Sequence, residues 1–598
     1  MTRSEKCKQK LLRRFAPGGF YDLAVRAKRF EKDDEGGMTI IALFVFILML
    51  TMGGISIDLM RHEMERSQLQ ATLDSAVLAG AGAPAGASKA EIKAIVQDFF
   101  AKSGKADYLD DLSEDDIIAT LNSRRVPATA SMTMNTYIMK LMGVPTLGAA
   151  GGATAEVRTP KLEVALVLDV SGSMSGTKLA NLKVAAKEFV TTMLNSANSG
   201  DTVISVVPFS WTVAPGEAIY SAMQGNINDS HDWSSCLRFT GDQYYDSYID
   251  PTLNPLTGPA YDQQIYTSVY GDFDNLSSGW RSCFNDDYAE VLPFSISESE
   301  LHAKIDAMVA SGNTSGHIGM KWGAALLDPA FQSVATALQA PTVAVVDSTL
   351  SNVPALYDEP DTMKIIVMMG DGANTSSYYF DTNSAYRGPN SELFELKFQD
   401  MEFAYARHKY RDRTSDDESK CTNTRWVCYY EPTGPAEYRF YLRDENRIYD
   451  AATGTQVDGY YSVAEGIWLD EAQFQAIESD PEHVDTRQLD WEEAWGHMSP
   501  NWYGNTTGDW GPWNDYIGSE TESGSTKNTY MSRICSSTKS QGVTVYTIGF
   551  EVPENGTAET ELRACASSPP NYYRASGVNI SDAFGSIASN VQNLRLTQ

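Results

Sequence analysis

Apolar and polar positions divide this chain into one uninterrupted apolar stretch and a long region of alternating strand and helix patterns. Residues Met38 to Ile57 contain no charged side chain. At a helical rise of about 1.5 Å per residue, this stretch is long enough to cross a hydrocarbon core of about 30 Å. The residues that follow contain no Gly or Pro before Gly80, so the pattern predicts one long helix through the apolar stretch and residues 58–83.

Charge around the apolar stretch predicts its orientation. The first 37 residues contain ten Lys and Arg against six Asp and Glu, and the positive-inside rule then places this segment in the cytoplasm and exports the rest. A cleaved signal peptide fits poorly because the preceding segment is too long, and the small-residue run LAGAGAPAGA begins about twenty residues too late. A buried core helix would not explain the charge asymmetry. We therefore expect a retained single-pass anchor.

Two different patterns follow the anchor. Residues 84–161 combine the helical period of SKAEIKAIVQDFFAKSG with the strand-like alternation of VPATASMTM, which predicts a small α+β connector. From Leu162 onward, short apolar runs rich in Val and Ile alternate with amphipathic helices, the pattern of a doubly wound α/β fold. Two segments, about 210–293 and 376–525, do not fit this alternation, and we interpret them as insertions into one domain rather than as tandem domains. The predicted boundaries are 1–37, 38–57, 58–83, 84–161 and 162–598.

Three loops of the α/β region carry oxygen-bearing side chains directly after strands or before helices. LEVALVLDVSGSM ends a strand in Asp169, Ser171 and Ser173, and KIIVMMGDGANT ends another in Asp371. Thr314 lies in the Gly/Ser/Asn loop SGNTSG before a helical pattern. Ligands gather at the carboxyl ends of strands in open α/β sheets, and hard divalent cations prefer oxygen ligands. Three unrelated polar loops are the alternative.

The order and composition of these loops resemble the metal-ion-dependent adhesion site of a von Willebrand factor A domain, with a Rossmann-like fold. The resemblance implies that Ser171 and Ser173 ligate the metal directly and that Thr314 does so directly or through water. Asp169 and Asp371 would act from close range, often through bound waters. The implied cofactor is a divalent cation, Mg²⁺ first, with Mn²⁺ or Ca²⁺ as alternatives, and a partner's Asp or Glu would complete its coordination. The family usually has Thr where this chain has Gly370.

Both ends of the chain show a second resemblance. The N-terminal run from RRF through DDEGG and the apolar stretch to GISIDLMRHEMERSQLQATLDSAVLAGA is similar to TadG-like proteins of the Tad (Flp) pilus-assembly machinery, as is the C-terminal CASSPPNYYRAS with AFGSIASNVQNLRLTQ. This resemblance implies a bacterial inner-membrane protein with its bulk in the periplasm, the cell surface being the alternative. Its partner would be an acidic side chain on a pilus or secretion-machine component.

Cysteine content and net charge agree with export. Six of the seven cysteines lie beyond the anchor, an even number that suits an oxidising compartment. Proximity favours three pairs, although free buried thiols remain the alternative: Cys236 with Cys283, Cys421 with Cys428, and Cys535 with Cys565. The net charge of −31 predicts that nucleic acid and anionic lipid headgroups are repelled.

Taken together, these patterns favour a non-enzymatic adhesion or pilus-assembly protein. The chain contains no HExxH, no GxSxG and no phosphate-binding loop. One alternative is an exported hydrolase of glycan or peptide with its site in the second insertion, and another is a structural spacer with a vestigial metal site. Aromatic side chains of that insertion either stabilise a loop-rich subdomain or line a binding surface. It holds seven of the eleven tryptophans: Trp426, Trp468, Trp491, Trp495, Trp502, Trp510 and Trp513. His317 is expected to be a helix-start residue that makes backbone hydrogen bonds, with a position beside the metal ligands as the alternative.

Overall fold

The chain forms two compact units that divide after Arg158. The computed structural model describes residues 37–84, 87–119, 123–158, 161–195, 201–359, 362–407, 410–414, 426–518 and 520–597. The first unit consists of two helices and an antiparallel sheet of three strands in the order β1–β2–β3. Its elements are α1 (Gly37–Ala81), α2 (Lys89–Lys102), β1 (Ile118–Ala119), β2 (Ser123–Asn135) and β3 (Thr146–Arg158).

Helix α1 confirms the prediction that the apolar stretch and its extension are continuous. An 18-residue window of this helix has a mean hydropathy of 2.6 and is 6% buried, which is consistent with a single-pass membrane anchor. The later part of α1 contributes one face to the core of the unit, where Leu69, Leu73 and Val77 pack with Ile92 and Val96 of α2. Helix α1 is therefore exposed along its apolar first half and amphipathic along its second half.

The second unit contains the remaining elements. Its first part holds β4 (Lys161–Asp169), α3 (Thr177–Asn195), β5 (Thr202–Phe209), α4 (Glu217–Met223), β6 (Ile227–Asn228), β7 (Leu237–Arg238), β8 (Tyr261–Gln263), β9 (Gly271–Asp272), β10 (Asn275–Leu276), β11 (Leu292–Ser295), α5 (Glu298–Ala307), α6 (Gly316–Ala325), α7 (Gln332–Leu338) and β12 (Thr362–Gly370). Its middle part holds β13 (Ser377–Tyr378), β14 (Leu393–Phe398), β15 (Met401–Arg407), β16 (Tyr410–Thr414), β17 (Trp426–Pro432), β18 (Glu437–Asp450), β19 (Thr455–Ser462), β20 (Ile467–Asp470), α8 (Glu471–Glu478), β21 (His483–Gln488), α9 (Trp491–His497), α10 (Pro500–Thr507) and α11 (Gly511–Gly518). Its last part holds β22 (Glu520–Glu522), α12 (Gly524–Ser540), β23 (Thr544–Phe550), α13 (Thr557–Cys565), β24 (Tyr572–Ala575) and α14 (Ile580–Thr597).

A six-stranded sheet in the order β11–β5–β4–β12–β23–β24 forms the centre of the second unit. Strands β5, β4, β12, β23 and β24 run parallel, and β11 pairs antiparallel with β5. Alternate residues of β4 point to opposite faces, so that Ala165 and Val167 enter one core while Val164 and Leu166 enter the other. Both faces of β4 are therefore buried, which explains its continuous apolar sequence.

Helices cover both faces of this sheet. Helices α6, α12 and α13 contribute residues to the first core, and α3, α5 and α14 contribute residues to the second. The prediction of a mixed α/β fold behind an N-terminal apolar helix is confirmed by these elements. Assignment of the unit to the von Willebrand A class stays a prediction.

Residues between β12 and α12 contain more regular structure than expected of a loop-rich subdomain. Strands β20–β19–β18–β14–β21 form a five-stranded antiparallel sheet, accompanied by the short helices α8 to α11. Trp495 is fully buried and Trp491 is 7% exposed, and both pack in an aromatic cluster with Phe380 and Tyr503. Trp510, in contrast, is 39% exposed. Trp502 and Trp513 are partly buried against the same cluster, so several rings of this segment contribute to its core.

Two disulfide bonds are present in the described residues. Cys236 is bonded to Cys283 with 6.1 Å between their Cα atoms, and Cys535 is bonded to Cys565 with 5.1 Å. The expected pairing of Cys421 with Cys428 lies outside the described residues. Disulfide bonds in this part of the chain agree with the prediction of an oxidising compartment.

Candidate metal centre

The candidate site lies where two neighbouring parallel strands end. Strand β4 ends at Asp169, and β12 ends at Gly370, immediately before Asp371. The two strands pair in register, with Leu168 opposite Met369. Because parallel strands present their carboxyl ends at the same edge of a sheet, the two carboxylates are brought together although they are far apart in the sequence.

The loop after β4 is held in a tight turn by its own polar groups. The Ser171 backbone N–H donates to Asp169 Oδ1 at 2.8 Å, and the Gly172 N–H donates to the carbonyl oxygen of Gly312 at 2.9 Å. A Cβ atom on Gly172 would lie 3.2 Å from that carbonyl oxygen. Glycine between the two serines therefore permits the close approach of the loop before α6, which carries Thr314.

A chain of hydrogen bonds links four of the five predicted site residues. The Ser171 and Ser173 hydroxyls lie 2.9 Å apart, and Ser173 Oγ donates to Asp371 Oδ1 at 2.6 Å. The Asp371 backbone N–H lies 3.5 Å from Asp169 Oδ2. Ser173 is exposed, whereas Asp169 and Ser171 are buried. The set is thus reached from solvent on the Ser173 side.

Thr314, the fifth predicted residue, meets Asp169 across a small cavity of about 20 Å³, with room for about one water. Its backbone is fixed by Thr375, because the Thr314 N–H donates to Thr375 Oγ1 at 3.1 Å and the Thr375 N–H donates to the Thr314 carbonyl at 3.0 Å. Gly370 lines the same cavity, and a Cβ there would lie 3.8 Å from Asp169 Oδ2. Glycine at this position therefore leaves open the space that a threonine side chain would enter.

The electrostatics of the site favour a cation. Burial, together with the negative charge of Asp371, raises the pKa of Asp169 to about 7. Three hydroxyls from Ser171, Ser173 and Thr314 accompany the two carboxylates. This all-oxygen donor set with two acidic groups fits a hard divalent ion such as Mg²⁺. In the described part of the chain, no group of three or more His, Cys, Asp or Glu side chains is placed to hold a metal.

Lys178, which sequence reasoning missed, occupies the other oxygen of Asp371. Its Nζ donates to Asp371 Oδ2 at 2.8 Å and lies 3.8 Å from Glu551 Oε2. Lys178 belongs to the first turn of α3, directly after the turn that carries the serines. A lysine on an amphipathic helix has no sequence mark that separates it from solvent-facing lysines, so only the three-dimensional arrangement reveals this ion pair.

A buried ammonium group lies beside the site. Lys527 of α12 donates to the hydroxyls of Ser315 and Ser377, and burial lowers its pKa to about 7 although Glu522 opposes this shift. His317 lies at the start of α6 as expected, but its ring is fully buried and faces Glu522, with Nε2 3.4 Å from Oε2. These groups pack behind the Thr314 loop, and a single sequence gives no signal of their proximity.

Comparisons with known proteins connect the chain with pilus proteins. The Tad family model, described as Flp pilus-assembly TadE/G-like, matches residues 36–83. This match covers α1 and agrees with the resemblance seen at the N-terminus. No curated protein matches the chain.

Three solved structures are similar to this chain at low TM-scores. The vWF domain of the type V pili tip protein Mfa5 from Porphyromonas gingivalis is 12% identical, with 74% of this chain and 97% of that chain covered and a TM-score of 0.28. The adhesive tip pilin GBS104 from Streptococcus agalactiae is 13% identical, with 72% and 100% covered and a TM-score of 0.25. The pilus adhesin RrgA from Streptococcus pneumoniae is 11% identical, with 81% and 48% covered and a TM-score of 0.26. TM-scores of this size carry no conclusion about this chain.

Proposed function

We propose that this protein is a membrane-anchored, non-enzymatic pilus-assembly or adhesion protein that binds a partner through a divalent cation. Its second unit would be a von Willebrand A domain with a doubly wound sheet, held at the bacterial inner membrane by α1 with its bulk in the periplasm. The partner would be a pilus or secretion-machine component that offers an Asp or Glu side chain.

The observation that supports the metal site is the meeting of Asp169 and Asp371 with the serine hydroxyls between them. Two buried carboxylates at one sheet edge are unfavourable when both are charged, as the raised pKa of Asp169 indicates. A dication relieves that cost. The match of the Tad family model to residues 36–83 supports the connection with pilus assembly.

The five residues would hold the ion in different ways. Ser173 is exposed, so its hydroxyl lies on the side from which a partner approaches. The other four are buried and form the closed side: Asp169, Ser171, Thr314 and Asp371. When bound, the ion would supply an open coordination position that selects a carboxylate. The positive charge of the ion would then favour a carboxylate over a neutral side chain of the partner.

Mg²⁺ titration calorimetry on the full-length protein in detergent micelles tests the site. Ser173→Ala removes a hydroxyl that contacts Ser171 and Asp371, and because Ser173 is exposed the fold should be retained. We expect saturable binding in the wild type and at least tenfold weaker binding in Ser173→Ala. Ser175→Ala, a matched change at an exposed serine two residues later, should bind as the wild type does. Equal binding by all three proteins would refute the assignment.

A second measurement tests the recognition of an acidic side chain. A short peptide with one central Asp should bind in Mg²⁺ and be released by EDTA, whereas the same peptide with Asn should not bind. Mg²⁺ binding without any Asp-dependent peptide binding would retain the metal site and remove the adhesion mechanism.

A further inference from the structure

An exposed apolar tip closes the β2–β3 hairpin of the first unit. The connection includes a short 3₁₀ helix, Met139–Met142. Tyr137 is 59% exposed, Leu141 75% and Met142 54%, and Val144 is exposed as well. Four large apolar side chains within eight residues form an unusual surface for a small unit, because a folded chain normally places such a concentration in its core. We call residues 137–144 the hairpin tip.

The carboxylate of Asp58 fixes the hairpin tip to α1. Its two oxygens accept three successive backbone N–H groups, from Tyr137 at 2.9 Å, Ile138 at 2.7 Å and Met139 at 2.9 Å. The Asp58 side chain is fully buried. Burial acts to raise the pKa of Asp58, but the three N–H groups outweigh it, so its pKa lies below the ordinary value. The tip is therefore held in one place by an ionised group.

A contact with helix α1 fixes the position of the hairpin tip along the axis of that helix. A Cβ atom on Gly54 would lie 2.5 Å from the Ile138 side chain, so the absence of a side chain at residue 54 permits this contact. Gly54 lies three residues, about 4.5 Å along the helix, before the end of the apolar stretch at Ile57. The tip therefore lies beside the last turn of the apolar stretch.

The hairpin extends from this level toward the C-terminal part of α1. His62 Nε2 lies 3.1 Å from the Gly148 carbonyl oxygen, and Gln70 Nε2 donates to the Gly152 carbonyl at 3.4 Å. Strand β3 thus follows α1 away from the apolar stretch. The apolar tip is the end of the hairpin that faces the anchor, and the rest of the hairpin lies progressively farther from it.

We propose that the hairpin tip inserts its apolar side chains into the interface of the same bilayer that α1 crosses. It is a second membrane contact, in addition to the anchor. Tyr137, Leu141 and Met142 enter the boundary between headgroups and acyl chains, beside the point where α1 leaves the hydrocarbon core.

Continuity and charge favour lipid as the occupant of this surface. The exposed apolar side chains of the tip continue the exposed apolar surface of α1, where Met52 and Ile57 are 62% and 59% exposed. The Arg61 guanidinium lies 4.2 Å from the Tyr137 ring centroid, and tyrosine with flanking basic residues is typical of a membrane–water interface. The exposed Lys140 adds a second positive charge. The acidic exported surface as a whole is expected to repel anionic headgroups, but this tip does not share that charge.

Depth-dependent fluorescence quenching tests the proposal on the full-length protein. All labelled variants carry Cys7→Ser. The Cys7→Ser protein without an added cysteine is treated with the same fluorophore, and its fluorescence measures any reaction of the remaining cysteines. Leu141→Cys is labelled with an environment-sensitive fluorophore and reconstituted into vesicles of phosphatidylcholine with a minor fraction of phosphatidylglycerol. Thr154→Cys, at an exposed residue of β3 farther along the hairpin, is the matched control. Leu48→Cys, in the middle of the apolar stretch, reports on the anchor.

We expect blue-shifted emission at residue 141 and at least twofold stronger quenching by shallow nitroxide lipids than at residue 154. Emission and quenching at residue 141 equal to those at residue 154, with residue 48 quenched by deep nitroxides, would overturn the proposal. A blue shift at residue 141 without quenching by lipid would also overturn it, in favour of a second protein chain on the tip. An unquenched residue 48 would remove the bilayer placement on which the proposal rests.

Asp58→Ala in the Leu141→Cys background tests the positioning role of the carboxylate. Loss of the three N–H contacts should release the tip, so we expect weaker shallow quenching at residue 141 with unchanged deep quenching at residue 48. Asp74→Ala, at an exposed acidic residue of the same helix, is the control. Shallow quenching that is equally strong in Asp58→Ala would show that the carboxylate does not place the tip.

Discussion

Competition between a proton and the metal ion gives a quantitative test of the candidate site. Burial and the neighbouring charge of Asp371 raise the pKa of Asp169 to about 7. Below that pH the carboxyl group holds a proton, and a divalent ion must displace it in order to bind. The affinity for Mg²⁺ should therefore fall as the pH falls through 7, and proton release on binding should increase over the same range.

The size of this effect follows from the pKa. For one competing proton, the dissociation constant rises by the factor 1 + 10^(pKa − pH), which is about elevenfold at pH 6 and close to unity at pH 8. Mg²⁺ titration calorimetry at pH 6 and pH 8 should thus give dissociation constants that differ by about tenfold. Measurements in buffers with different ionisation enthalpies should report the released proton directly.

Two variants make this prediction specific. Asp169→Asn preserves the shape of the side chain and cannot hold the competing proton, so its residual Mg²⁺ binding should be weaker and nearly independent of pH. Asp485→Asn, at an exposed position of β21, should retain the tenfold difference. Equal wild-type affinities at pH 6 and pH 8, or an undiminished pH dependence in Asp169→Asn, would refute the reasoning.

Three further outcomes are expected from other parts of the second unit. Lys178 donates to Asp371, so Lys178→Met should tighten Mg²⁺ binding severalfold in the same titration, and weaker binding would contradict competition by the ammonium group. A Cβ on Gly323 would lie 2.4 Å from Val167 Cγ2, so Gly323→Ala should lower the free energy of unfolding by about 1–3 kcal/mol in urea denaturation. An unchanged free energy of unfolding would show that Val167 can move to accommodate the added methyl group. Replacing Cys535 and Cys565 by Ser removes a disulfide bond with a sequence separation of 30 residues and should lower the free energy of unfolding by about 3–4 kcal/mol. An unchanged urea midpoint would contradict this prediction.

Local sequence patterns were sufficient for the continuous elements. The apolar runs that became β4 and β12 are buried on both faces, and this environment requires few polar residues. Helix α1 has no helix-breaking residue between Ile57 and Gly80, so helix propensities were sufficient to predict that it continues past the apolar stretch. The strand ends placed Asp169 and Asp371 correctly because side chains at strand termini follow directly from where the apolar run stops.

Features that depend on contacts between distant segments could not be predicted. The antiparallel sheet formed by β14 and β18 to β21 lies in a segment rich in aromatic residues and Gly, whose strands are only partly buried and alternate irregularly. Lys178 enters the site from a helix whose sequence is ordinary for solvent-facing positions. The burial of His317 could not be predicted from its own segment, because its ring packs near Tyr244 and near Tyr530 of α12, both distant in the sequence.

The hydrogen bond between the two ends of the site spans 202 residues, from Asp169 to Asp371. An ion held by both carboxylates would act as a reversible cross-link that closes this long loop. By mass action, an ion present at a hundred times its dissociation constant would add about 2.7 kcal/mol to the stability of the native state. Because such an ion can be captured only once β4 and β12 are paired, its binding would favour the state in which these two strands have already come together.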